Sequence, residues 1–345
     1  MKKIDLESHF YSASFLEVYT ERAERKDLPY YDKENNRILW SERVIHSSGE
    51  ILNTLLELGE KRIAHMDKWG VDMAVISHSM GLEQLPTEVS VPTCAAANKQ
   101  LYAFIQKFPG SFLGSAILPV NDVTAACAEL ERCVKDYGFV SWHAHSNFGA
   151  KAPDWSAKTP DQEEFRPIFK QCEKLGVYVY LHPNFMLDDR IEEYGFGFAG
   201  PGLGFAADTL ITIMRMILGG LFDEFPKLKV VLGHLGEAIP FLLERIDNRM
   251  AFIPSEQAKN KQPISYYFKN NIMVTTSGNM SKEAFQCAKN VLGMDHIALG
   301  TDYPYEKYDE MMGFIESLPL AKAERDMLNS KSALDFLNLN LFKKG

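Results

Sequence analysis

Glu7 and His9 stand two residues apart near the end of the first apolar run of the chain, "KIDLESH" (3–9). On an extended strand, residues i and i+2 project to the same side, so a carboxylate and an imidazole share one face. Side chains of the same kinds close later apolar runs: His182 ends "VYVYLH", His234 ends "KVVLGH" and Asp302 ends "IALGTD". Imidazole nitrogens and carboxylate oxygens together suit a borderline divalent cation such as Zn²⁺ or Mn²⁺, with a position left open for water or substrate. A single histidine at a strand end is usually a packing residue. Recurrence of ligand-type side chains at the same end of several strands is what singles these out. A further run, "FVSWHAH" (139–145), carries His143 and His145. They share a face, and either both line the inside of the sheet or both turn toward the helices.

The elements that must position these residues follow from hydrophobic period. Eight apolar, β-branched runs bounded by turn residues recur at 3–9, 73–78, 112–118, 139–145, 177–182, 229–234, 272–277 and 297–302. Between most of them lie stretches of helical spacing, at 50–70, 94–108, 123–138, 164–176, 208–226 and 281–293, several ending in a glycine suited to a helix C-cap. Strands alternating with helices in this number predict a (β/α)₈ TIM barrel, whose active site stands at the C-terminal ends of its strands. An open doubly wound sheet would carry a glycine-rich phosphate turn directly after an early strand, and neither GxGxxG nor GxxxxGK[ST] occurs there. The glycine-rich "YGFGFAGPGLGF" (194–205) follows the fifth apolar run through a long connection rather than an early strand, and reads as a mobile or substrate-facing loop. Residues 10 to about 50 read as an insertion after the first strand, too thin in apolar residues for a core of their own, so that 1–345 form one domain.

Composition narrows the partners. The chain has 37 Lys+Arg against 46 Asp+Glu, a formal charge of −9 without any basic run, which opposes binding to nucleic acid or to membrane phosphates. A small molecule is the expected partner. Five scattered cysteines with no CxxC pair suggest reduced thiols rather than a disulfide framework or a thiolate zinc site. The N-terminus lacks the apolar stretch of a signal peptide, and no run approaches the ~18 apolar residues that span a bilayer. The expected location is the cytoplasm.

The segments "ESHF", "LHP", "FDEFPKLKVVLGHLGEAIPFLLERID", "VTTSGN" and "GTDYPYE" resemble the amidohydrolase superfamily. More narrowly they resemble its branch of metal-dependent decarboxylases, which act on γ-resorcylate, 2,3-dihydroxybenzoate, 5-carboxyvanillate and aminocarboxymuconate semialdehyde. The resemblance covers nearly the whole chain and is most specific from Phe222 to Asp247. It implies one divalent ion per subunit, Zn²⁺ or Mn²⁺, with no organic cofactor. Glu7, His9, His182 and Asp302 would be its ligands, with His234 close by as an acid/base or polarising group and Glu237 orienting it. Arg62 and Arg245 match arginines that hold the substrate carboxylate in relatives, the second reaching into a neighbouring subunit, which implies a homodimer or homotetramer. The chain departs from these relatives at strand four, where His145 becomes a candidate substrate contact and no lysine is available for a carbamylated, binuclear site.

This resemblance implies decarboxylation of a small hydroxylated aromatic acid. The metal would chelate the acid, Asp302 would protonate the ring carbon, and His234 would stabilise charge on the phenolic oxygen. Phe185 and Tyr303, with Phe10 and Trp142, stand at or beside strand ends where they would wall the ring. The alternative is hydrolysis of a lactone or amide by a metal-activated water. A more remote one is a barrel that binds a ligand without turnover.

Overall fold

In the computed structural model, residues 2–151, 156–186, 188–253 and 256–339 are described. The eight apolar runs form one parallel sheet: β1 (Ile4–Phe10), β2 (Met73–His78), β3 (Phe112–Ala116), β4 (Ser141–His145), β5 (Tyr178–His182), β6 (Val230–Leu232), β7 (Ile272–Thr275) and β8 (Ile297–Ala298). Each strand pairs in parallel with the next in chain order. The sheet curls until its first strand meets the chain leaving its last. Leu6 N–H donates to the Leu299 carbonyl at 2.9 Å, Asp302 N–H to that of Glu7 at 3.0 Å, and His9 N–H to that of Tyr303 at 2.7 Å.

Period-two alternation divides the strands between two apolar cores. Tyr178 and Tyr180 of β5 point inside the curl with Ile4, Leu6, Met73, Val75, Val231 and Met273. Val179 and Leu181 of the same strand face the surrounding helices. On β4, Trp142 and Ala144 pack outward, the indole against Phe169 of the helix Arg166–Leu175. Ser141, His143 and His145 therefore point inward, which settles the choice the sequence left open.

The helices depart from expectation where glycine or proline intervenes. The stretch 50–70 is two helices, Gly49–Leu56 and Glu60–Trp69, because Gly59 adopts an extended conformation between them. The helix predicted at 94–108 begins at Thr87 and runs through Pro92. Residues after β1 form a helix, Ala13–Arg25, capped by the Ser12 hydroxyl accepting from Phe15 N–H, and an antiparallel sheet of Tyr30–Asp32, Arg37–Leu39 and Ile45–Ser48. Tyr11, Phe15, Tyr19 and Ile38 pack with Leu52, Leu55, Cys94, Ala97 and Ile117, so this segment shares its core with neighbouring helices. Among the described residues no helix is long and apolar enough to cross a membrane.

Candidate metal centre

The aim of Glu7 depends on a β-bulge. The register between β1 and β2 shifts between Asp5 and Ser8, so the consecutive residues Leu6 and Glu7 both turn inward, as does His9. The Asp5 carboxylate pins the bulge by accepting from Glu7 N–H at 3.0 Å, Thr301 N–H at 3.0 Å and the Thr301 hydroxyl at 2.6 Å. Inside, the Tyr180 hydroxyl donates to Glu7 Oε2, and Thr275 Oγ1 donates to the same oxygen at 3.2 Å. Oε1 is thereby turned toward the histidines.

Four side chains converge there. His9 Nε2 lies 3.6 Å from Glu7 Oε1 and 3.1 Å from Asp302 Oδ1, and His182 Nε2 lies 3.9 Å from Glu7 Oε1. The Nδ1–H of His182 donates to the Pro183 carbonyl at 2.8 Å, which leaves Nε2 as a lone pair facing the cluster. Glu7, His9, His182 and Asp302 each offer one ligand atom, all within 4.8 Å of one another. Glu7 Oε1, His9 Nε2 and Asp302 Oδ1 are buried without a hydrogen-bond partner among the described residues. Buried polar atoms are rarely orphaned, so mixed nitrogen and oxygen donors facing one point fit a divalent cation. Electrostatics agree. Burial works against charge on His9, but its contacts with Asp302 and Glu7 outweigh this and push it up to about 9. Burial would also raise Glu7, yet His9 and His234 hold it down to about 2. A spot that stabilises positive charge on His9 so strongly will also stabilise a cation there.

His234 enters from a strained turn. His234, Leu235 and Glu237 have φ of 53°, 57° and 57°, and Gly236 has 77°, a run of left-handed backbone that costs of order 1–3 kcal/mol at each non-glycine position. This turn places His234 Nδ1 2.6 Å from Glu237 Oε1 and His234 Nε2 3.7 Å from Asp302 Oδ2. Burial opposes protonation of His234, but Glu237 and Asp302 raise it well above the usual histidine range. Gly278 (φ 62°) lets the imidazole in, since a Cβ there would come within 2.5 Å of His234 Cδ2.

A cavity of about 410 Å³ adjoins the cluster, of a size for a single-ring ligand. His182, His234, Glu237 and Asp302 form its polar side, and Phe196, Phe205 and Tyr305 its aromatic side. The loop read as substrate-facing contributes Phe196, Pro201, Gly202 and Phe205. His46, from the antiparallel sheet, also lines it, with Nδ1 3.0 Å from the Tyr11 hydroxyl. His46 and Tyr305 escaped the sequence reading. Neither ends a strand of the main sheet.

The other expected contacts lie elsewhere. Phe185 is buried behind the wall against Trp40 and Phe205. Tyr303 stacks with the Arg62 guanidinium, whose carbon is 5.0 Å from the ring centre. Arg62 is itself buried and donates to Ser8 Oγ at 2.7 Å and to the His9 carbonyl, so it braces the back of β1. His145 is buried one layer from the cavity with Nδ1 bonded to Glu83 Oε1. Arg245 is exposed on the helix Ile239–Met250. Phe10 and Trp142 belong to the outer core.

Residues 54–339 match the family model described as amidohydrolase. The γ-resorcylate decarboxylase of Rhizobium sp. (strain MTP-10005) is 32% identical over 301 residues, 84% of this chain and 90% of that protein. The crystal structure of a 2,6-dihydroxybenzoate decarboxylase complexed with 2,6-dihydroxybenzoate superposes with a TM-score of 0.83 at 30% identity, covering 98% of this chain and 100% of that one. A dihydroxybenzoic acid decarboxylase from Polaromonas sp. JS666, solved with bound manganese and the inhibitor 2-nitroresorcinol, also gives a TM-score of 0.83 at 30% identity, over 98% of this chain and 97% of that one.

Proposed function

The chain belongs to the amidohydrolase family, and on that premise we propose that it is a metal-dependent decarboxylase of a small hydroxylated aromatic carboxylic acid that uses no organic cofactor. The observation that carries this reading is the set of orphaned donor atoms on Glu7, His9 and Asp302, joined by His182, beside an aromatic-walled cavity sized for one ring. Those four residues would hold one divalent ion per subunit, Mn²⁺ or Zn²⁺. When bound, the ion supplies fixed positive charge and Lewis acidity toward the carboxylate and ortho oxygen of the acid.

The remaining work falls to side chains. Asp302 takes up the proton released as the ortho hydroxyl of the bound acid ionises and delivers it to the ring carbon that bears the carboxylate, forming a C–H bond at the expense of aromaticity. Cleavage of the C–C bond then returns its electron pair to the ring, CO₂ leaves, and Asp302 remains as carboxylate. His234, oriented by Glu237, stabilises negative charge on the phenolic oxygen. Phe196, Phe205 and Tyr305 sandwich the ring and exclude water. Among the described residues that line the cavity there is no lysine or arginine, which leaves His234 as the charged counterpart for an anionic substrate.

We read the sheet as a closed (β/α)₈ barrel in one domain over 1–345, with about 10–50 inserted after β1, in a cytoplasmic homodimer or homotetramer. Exposed Phe241, on the helix that carries Arg245, supports an interface through which that arginine would reach a neighbouring site. Arg62 we assign to positioning β1.

Incubating metal-loaded protein with a panel of hydroxybenzoates, lactones and amides tests the assignment. CO₂ from an ortho-hydroxybenzoate is expected. Acid release without CO₂ from any hydroxybenzoate would overturn it in favour of hydrolysis, and tight benzoate binding with no product would indicate a barrel without turnover.

A further inference from the structure

His143 has no part in the mechanism above, yet its surroundings are those of a ligand. It is 1% exposed on the inner face of β4, and its Nε2 is buried with no hydrogen-bond partner among the described residues. An unpaired buried polar atom is destabilising, a penalty that a bound cation would remove. His9, His143 and His182 form a second group whose ligand atoms all lie within 4.8 Å of one another. Their ring centres are 4.8 Å apart for His9–His182, 5.0 Å for His143–His182 and 5.4 Å for His9–His143. With metal–nitrogen bonds of about 2.0–2.1 Å, three imidazoles around one ion have their ring centres about 4.5–5 Å apart. The observed triangle needs only a small contraction to close on a cation.

The orientation of His143 is fixed. Its ring stacks on Tyr180 at 5.4 Å and 28°, and the Tyr180 hydroxyl holds Glu7.

We propose that His143 is an additional cation ligand, completing with His9 and His182 a three-imidazole face opposite the carboxylates of Glu7 and Asp302. The consequence is a change of metal preference. Three nitrogen donors favour a borderline ion such as Zn²⁺ or Co²⁺ over Mn²⁺, which prefers oxygen-rich sites. This rests on the reading of Glu7, His9, His182 and Asp302 as a cation site.

X-ray absorption on the zinc-loaded protein counts coordinated imidazoles, and chelator competition gives the ratio of Zn²⁺ to Mn²⁺ affinity. Three imidazoles are expected in the wild type and two in His143→Asn, with the Zn²⁺/Mn²⁺ affinity ratio falling at least about tenfold in the variant. Two imidazoles in the wild type would overturn the proposal, and that count decides even if the variant fails to fold. An unchanged affinity ratio in a folded variant would overturn it as well. Equilibrium dialysis showing no uptake of either ion would instead overturn the four-residue site on which the proposal rests.

Discussion

Glu7 shows how much of this site is set by neighbours that never face the cavity. Its Oε1 is free because Tyr180 and Thr275 occupy Oε2, and its inward aim comes from the bulge pinned by Asp5. Removing the hydroxyl in Tyr180→Phe is expected to leave the sheet folded but weaken cation binding at least about tenfold in chelator competition. Unchanged affinity would mean that Glu7 needs no such anchor. The residue types of the cluster were legible in the sequence, because ligand-type side chains ended several apolar runs. Its walls were not. Asp302 has a φ of 59°, so strict alternation ends there. Tyr303 consequently lies against Arg62, and it is Tyr305 that enters the cavity. His46 was illegible for a different reason: it sits on a four-residue strand whose place beside the cavity depends on long-range packing.

At the scale of elements, the strands were readable because β-branched runs buried on both faces have a strong composition signal, and all eight entered the sheet. Helix boundaries were less readable, since Gly59 breaks one stretch while Pro92 fails to break another. Arg62 illustrates the limit of motif reasoning. A matched arginine suggested substrate binding, whereas its guanidinium ties the helix Glu60–Trp69 to β1. Arg62→Met is expected to lower stability by about 2–3 kcal/mol in denaturant titration, with KM unchanged for the folded enzyme. A raised KM at unchanged stability would restore the substrate role.

A second tie joins the helix Gly204–Leu218 to the loop after β4: Asp208 accepts from Ser146 Oγ and from Asn147 Nδ2, the latter at 2.7 Å. Burial raises Asp208 to about 6, against those hydrogen bonds. The folded state then holds its proton to higher pH than the unfolded chain does. The stabilisation from this proton is present below about 4 and is lost as pH rises through about 6. Asp208→Asn should flatten the stability curve across that window. An unaltered slope would show that the carboxyl titrates normally.

For the whole molecule, the curled sheet brings residues from distant parts of the chain together, as His9 Nε2 and Asp302 Oδ1 at 3.1 Å show. The exposed faces of Phe241 (82%) and Phe252 (77%) fit burial against another copy of the chain. Phe241→Asp is expected to shift sedimentation equilibrium toward the monomer and to reduce activity at equal metal content, because Arg245 would lose its reach. A wild-type protein that is already monomeric would contradict this. On the proposed mechanism Asp302 delivers the proton that replaces CO₂, and turnover of an ortho-hydroxybenzoate in D₂O tests this. One deuterium at the vacated ring carbon is expected for each CO₂ released, with at least about a hundredfold loss of rate in metal-loaded Asp302→Asn. Wild-type rates of CO₂ release from that variant would contradict it.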